Sequence, residues 1–269
     1  MESWNPSLYL KFGAERTRPA GDLVARIDVP KPRRVIDLGC GPGNSTAILR
    51  ARWPSAETTG LDSDAAMLAA AAKSDPEVRW VQGDAANWEP TELYDVVFSN
   101  AMLQWLPNHA AVVPRLFGAV APNGALAVQI PAHLESALHL HILEVANEPE
   151  WREDTRAARG AIGSHDPGFY YDLLCPLGER IDLWETEYDH VMNGPEDILT
   201  WIRGTGLRPF LNALASEQER QRFESLLLER VAVSYPRRRD GRVLFPFRRL
   251  FLVAYRDGAT REFVASERG

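Results

Sequence analysis

At 269 residues, 45% hydrophobic and 25% charged, the chain has the balance of a globular protein and the length for one large α/β domain with a helical insertion. Thirty Lys and Arg against 37 Asp and Glu leave a net charge of −7, so no nucleic-acid partner is expected. Two cysteines, Cys40 and Cys175, exclude a disulfide framework and fit a reducing cytoplasm, while short apolar runs and the lack of a basic-then-apolar pattern in Met1 to Pro30 predict neither membrane insertion nor secretion.

From Arg33 to Ile130 short apolar runs alternate with helical stretches, the pattern of βαβ units on a parallel sheet. The first strand is expected over Arg34 to Leu38 and its helix over Asn44 to Arg52. A second strand (Glu57 to Leu61) and an Ala-rich helix (Asp64 to Lys73) follow. The third strand is Val78 to Gln82 and the fourth Asp95 to Ser99, with a short or missing helix between them because Asp84 to Pro90 is polar and ends in proline. A fourth helix lies within Asn108 to Val120, kinked at Pro114. Pro122-Asn123-Gly124 reads as a turn before a fifth strand, Ala125 to Ile130.

Beyond Pro131 the pattern changes. Leu138, Ile142 and Val145 share a helical face, charged and glycine-containing sequence runs to Gly168, and Ile181 to His190 reads as a strand. A helical block fills Pro195 to Tyr235. Its last helix opens with a Ser216–Glu219 capping box and carries Phe223, Leu227 and Val231 on one face. Leu250 to Tyr255, apolar on both faces, suits a strand inside a sheet, and the tail from Asp257 is polar. Arg237-Arg238-Arg239 beside Asp240-Gly241 reads as a solvated turn. The expected fold class is α/β, a doubly wound and mostly parallel sheet. The expected organisation is a single domain over 1–269: a core at about 30–131, lid or insertion elements at about 1–29, 132–180 and 192–242, and a last strand at about 247–256.

The first strand runs into Asp37-Leu38-Gly39-Cys40-Gly41-Pro42-Gly43-Asn44-Ser45. Three alternate glycines let the backbone turn sharply and approach a ligand where a Cβ would collide. The Gly-x-Gly-x-Gly spacing differs from the Gly-x-Gly-x-x-Gly of a dinucleotide site, which is the competing reading, as are glycines and aspartates serving only as turns. Asp62 ends the second strand, where a carboxylate can accept both hydroxyls of a ribose. Asp84 ends the third, suited to an exocyclic adenine amine, and Asn100 follows the fourth. All stand at the carboxyl ends of parallel strands, where open α/β sheets bind ligands. Asp37, Asp62 and Asp84 also favour a cationic ligand.

On Val35 to Ser45 with Asp62, Asp84 and Asp95, the chain resembles the class I S-adenosylmethionine-dependent methyltransferases, and the resemblance covers Arg33 to Ile130. It implies a seven-stranded sheet whose last strand, Leu250 to Tyr255, is antiparallel. It also implies S-adenosylmethionine as cofactor, S-adenosylhomocysteine as product, and no metal. The loop Gly39 to Gly43 with Asp37 and Asn44 would serve the methionyl part and Asp62 the ribose. Asp84 and Ala85 would bind adenine edges, with Met67 against its face. His139 and His141, two apart on a helix, cannot share a metal. Asn100-Ala101-Met102-Leu103 departs from the Asn-Pro-Pro-Tyr-type motif of amino-methylating nucleic-acid enzymes.

A narrower resemblance, to the bacterial trans-aconitate 2-methyltransferases, rests on segments spread along the chain: Trp4 to Leu10, Ala14-Glu15-Arg16, Leu38 to Ser45, Leu103 to Pro107, Thr205 to Pro209 and Arg249-Leu250-Phe251. It implies monomethyl esterification of trans-aconitate, a small anionic carboxylate. The alternatives are another small carboxylic acid, another small-molecule acceptor, or a non-catalytic cofactor-binding module. A carboxylate is ionised at pH 7, so no catalytic acid or base is expected. Arg16, Arg208 and Arg249 fall inside the matching segments as candidate carboxylate clamps, each otherwise a surface or helix-end charge. Tyr9 and Trp105 either line the acceptor pocket or are plain core. His165 either lines it or is an ordinary loop histidine. Cys40 reads as packing.

Overall fold

The computed structural model describes residues 12–258 and forms one sheet from β1 (Arg34–Leu38), β2 (Glu57–Asp62), β3 (Arg79–Gln82), β4 (Tyr94–Asn100), β5 (Val120–Pro131), β6 (Arg180–Met192) and β7 (Val243–Tyr255). The order is β3-β2-β1-β4-β5-β7-β6. The pairs from β3 to β5 are parallel, and β7 runs antiparallel to both β5 and β6. Phe251, Leu252, Val253 and Ala254 are almost wholly inaccessible, as expected for a strand with neighbours on both sides and cover on both faces. Strand order reverses between β1 and β4, which opens a crevice at their carboxyl ends.

Helices α1 (Gly13–Arg26), α2 (Asn44–Arg52), α3 (Ala65–Ser74), α4 (His109–Gly118), α5 (Ala137–Ala146), α6 (Pro167–Leu174), α7 (Pro195–Arg203), α8 (Arg208–Ala213) and α9 (Glu217–Ser234) complete the described fold. Their starts have local causes. Asp64 caps α3 by accepting from the Ala66 and Met67 amides, and Ser136 caps α5 through His139. The Ser216–Glu219 capping box expected from sequence opens α9.

Several expectations need correction. Two helices, α1 and α6, went unanticipated. Pro19 sits inside α1, which is held by burying Ala20, Leu23 and Val24 beneath the sheet. The signals for α6 were present: Asp166 accepts from Phe169 N and Pro167 occupies the first turn. Pro122 to Gly124 is a bulge within β5 and not a separate turn. Asn123 has φ 62°, and pairing jumps from Tyr94 opposite Val120 to Val96 opposite Ala125.

β6 and β7, 13 residues each, extend past the core. Their far ends deliver Met192, Phe245 and Phe247 into a second hydrophobic cluster, where Leu138, Ile142 and Val145 of α5 meet Phe223, Leu227 and Val231 of α9. This helical cap is thus carried on the far ends of the antiparallel β6–β7 pair and overlies the strand ends. No helix among the described residues is long and apolar enough to cross a membrane.

Candidate active site

A cavity of about 600 Å³ lies between the strand ends and the cap. Its floor comes from the first glycine loop. Gly39, Gly41 and Gly43 have φ of 70°, 54° and 92°, a backbone that side chains resist. A Cβ on Gly39 would also sit inside the Met102 side chain. The loop is tied down by Gly39 and Cys40 amides donating to Leu61 O at 2.8 and 3.1 Å. Asp62 Oδ2 accepts from Gly41 N at 2.8 Å and Oδ1 from Asp64 N at 2.9 Å. Each oxygen keeps a further lone pair, so the carboxylate is fixed and can still accept two hydroxyls. Met67, Asp84, Ala85 and Asn100 line the same half. Asp84 Oδ1 is held by Ala86 N at 2.8 Å.

Three expected cofactor residues stand behind this lining. Asp37 is fully buried, and Ser45 and Thr46 hydroxyls donate to its Oδ2 at 2.7 Å, pinning the first turn of α2 to the end of β1. Burial pushes its carboxyl up to about 6 against those hydrogen bonds. Gly43 faces Trp80, and Asn44 begins α2; neither reaches the cavity because the loop itself fills that side.

The buried polar atoms fit S-adenosylmethionine. Asn100 Oδ1 and Gln104 Oε1 on the cavity lining, and Asp37 Oδ1 behind it, have no partner among the described residues. All three are acceptors, the complement of a ligand bearing an ammonium group and a sulfonium charge. Ala101, between them, is held at φ 55° by its amide on Gln129 O and by Gln104 Nε2 on its carbonyl. That left-handed conformation costs a non-glycine residue about 1 kcal/mol or more, and such strain collects at ligand sites.

The other half carries the opposite charge. Arg16 from α1, Arg208 at the start of α8 and Arg249 of β7 all line the cavity, although 233 residues separate the first from the last in numbering, 16 to 249. Arg249 is 4% exposed, and its Nη1 donates to the buried Gln129 Oε1 at 3.2 Å, which rules out a surface charge. Arg16 lies over the Trp201 ring and donates to Trp201 O at 2.6 Å. Arg208 stacks over Trp105, its pKa lowered by burial and raised by Asp64 across the cavity. Trp105, Trp201, Ile162 and Phe247 supply apolar walls.

His165 does not line the cavity. It is exposed and stacks on Phe169 with ring centres 3.9 Å apart, on the outer side of the buried His109–Tyr170 hydrogen bond. The unanticipated α6 causes this, since its cap turns residue 165 outward. Tyr9 lies outside the described residues. Sequence reasoning missed Gln104, His133 and Gly206. Gln104 and Gly206 fall within segments already singled out, and His133 follows the carboxyl end of β5, the place where ligand contacts belong. Among the described residues no group of His, Cys, Asp and Glu is arranged to hold a metal.

Residues 35–124 match the methyltransferase domain family. Across nearly the whole chain the sequence is similar to proteins named trans-aconitate 2-methyltransferase. It is 46% identical to that of Rhodopseudomonas palustris strain BisB18, covering 94% of this chain and 99% of the relative. It is 44% identical to that of Azoarcus sp. strain BH72, covering 95% and 100%. Among solved structures, the YcgJ protein of Bacillus subtilis superposes with a TM-score of 0.57 at 11% identity, covering 90% of this chain and 99% of that one. A Bacillus halodurans structure described as a putative methyltransferase gives 0.57 at 14%, covering 89% and 99%. At these identities the structures speak to fold alone.

Proposed function

This chain belongs to the trans-aconitate 2-methyltransferase family, and from that premise we propose that it methylates one carboxylate of trans-aconitate, with S-adenosylmethionine as donor and the monomethyl ester and S-adenosylhomocysteine as products. The observation that carries the reading is the make-up of the cavity lining: carboxylates and unpartnered acceptors from the strand ends, and three arginines from α1, α8 and β7. One half suits a cation and the other a small polyanion.

When bound, S-adenosylmethionine supplies an electrophilic methyl group. Asp62 would hold the ribose hydroxyls, Asp84 and Ala85 would meet the adenine edge, and Met67 would cover its face. The Gly39–Gly43 loop, with Asp37 beneath and Asn44 beyond it, would shape the methionyl pocket, with the acceptors near Asn100 suited to its ammonium. Arg16, Arg208 and Arg249 take acceptor carboxylates, each guanidinium offering a planar fork to two oxygens. The acceptor is already ionised, so the residues need to move no proton. Their work is orientation, which can supply about 7–11 kcal/mol. The aromatic walls exclude water, which would otherwise stabilise the separated charges more than the transition state in which they cancel. We take residues 1–269 as one methyltransferase domain that functions in the cytoplasm on a small molecule and not on nucleic acid.

A panel of anionic and cationic acceptors, assayed with methyl-labelled cofactor, tests the reading. Label should pass to trans-aconitate in preference to amines. Preference for a cationic amine would overturn it.

A further inference from the structure

His133 lies two residues past the end of β5, on the cavity wall beside Phe247 and near Arg249. Its ring is held tightly: stacked on Phe247 at 4.7 Å, edge-on to His139 of α5 at 6.0 Å, with its carbonyl accepting from Ser136 N. Nδ1 is sealed from solvent and has no partner among the described residues. A proton placed there would be a buried donor with nothing to receive it, which is worse than an idle lone pair. The tautomer is therefore Nε2–H. Nε2 lies on the side of Gly206, another cavity residue, where an added Cβ would stand 3.9 Å away. The titratable and charged groups facing the ring are His139 from α5 and Arg249 from β7, with Arg16 of α1 and Arg208 of α8 on the other cavity walls. None is acidic. Burial first, then His139 and Arg249, push His133 down to about 3, so it is neutral at physiological pH.

We propose that the neutral Nε2–H of His133 orients the carboxylate that receives the methyl group, while Arg16, Arg208 and Arg249 hold the acceptor's other carboxylates. The inference rests on the substrate reading above. Its logic is differential binding. The reacting carboxylate loses its charge on methylation, so a cation paired with it stabilises the ground state more than the transition state and slows the step. A neutral donor forfeits less, because the ester oxygen still accepts its hydrogen bond. Carboxylates that stay ionised lose nothing by pairing with arginine. His133 also lines the same cavity as Asn100, which belongs to the half assigned to the methyl donor.

The test compares His133→Phe, His133→Gln and His133→Lys with Gly206→Ala, which leaves the imidazole in place and puts a methyl over Nε2. Two quantities are read: kcat and KM for trans-aconitate, and its calorimetric affinity for the protein–S-adenosylhomocysteine complex. Loss of the donor in His133→Phe should lower kcat about tenfold, the scale of one neutral hydrogen bond. His133→Gln, which keeps an N–H, should recover part of this. His133→Lys should bind trans-aconitate more tightly yet turn over more slowly, a split that a merely structural residue would not produce. Gly206→Ala should lower kcat in the same direction as His133→Phe. Wild-type kcat in His133→Phe and Gly206→Ala, or a faster His133→Lys, would overturn the assignment alone. A wild-type enzyme that neither binds nor methylates trans-aconitate would overturn it together with the substrate reading.

Discussion

The two halves of the cavity are built by different means. The cofactor half is assembled from the ends of β1 to β4, within residues 37–104, and its key groups are fixed by backbone hydrogen bonds within that stretch, as Asp62 is by Gly41 and Asp64. The acceptor half draws one arginine each from α1, α8 and β7, with walls from the cap. The first is a local motif, and the second exists only after folding. A change in one half should therefore leave the other half's ligand nearly untouched.

The largest expected effect is in the cofactor half. Asp62→Ala removes an acceptor of charge-assisted hydrogen bonds worth about 1.5–3 kcal/mol each, so affinity for S-adenosylhomocysteine should fall by about 100-fold or more. Asp62→Asn, which keeps one acceptor oxygen, should fall less. Calorimetric titration checks this, and unchanged affinity would place the ribose elsewhere. Next comes Arg208→Lys. The ammonium keeps the charge but loses the fork, so kcat/KM for trans-aconitate should drop about tenfold or more while affinity for S-adenosylhomocysteine holds. Parallel loss of both would dissolve the distinction between the halves.

Smaller effects come from pH. Asp37 sits near 6, above the usual aspartate value, because of burial. A cationic ligand favours its ionised form, so below pH 6 binding must first release a proton. Affinity for S-adenosylhomocysteine should fall up to about tenfold between pH 7.5 and 5, and Asp37→Asn should flatten the slope. Calorimetry across that range reads both. Beneath the acceptor half, His190 is 5% exposed and packs against Trp201; burial, then Arg249, lowers its pKa to about 4. The unfolded chain gains a proton near 6.5 that the folded one refuses until about 4. Stability is therefore lost as pH falls through that window, about 1 kcal/mol between pH 7 and 5.5. Thermal melts of His190→Phe should show a shallower acid decline by a few degrees. An unchanged decline would remove His190 from the cap's acid sensitivity.

The same contrast explains what was legible in the sequence. The core strands' positions, the glycine loop and Asp62 follow from periodicity and spacing over short stretches. So does the placement of Leu250 to Tyr255 inside the sheet, because a run apolar on both faces admits few other positions. The acceptor half was legible only as three arginines in separate segments, and local pattern says nothing of whether they meet. His165 went astray because α6 was missed: its cap, Asp166 before Pro167, is a single local signal without a long apolar period behind it. His133 carried no motif at all. It becomes visible when a buried nitrogen without a partner, a stacked ring and a neighbouring cavity are seen together.

The central claim is that one cavity binds a cation at the strand ends and a polycarboxylate beneath the cap. A crystal structure of the protein with S-adenosylhomocysteine and trans-aconitate tests it most directly. The account predicts the nucleoside against Asp62 and Asp84, two acceptor carboxylates on Arg16, Arg208 or Arg249, and the third beside His133, facing the sulfur. Trans-aconitate bound away from those arginines, or with all its carboxylates turned from the sulfur, would contradict it.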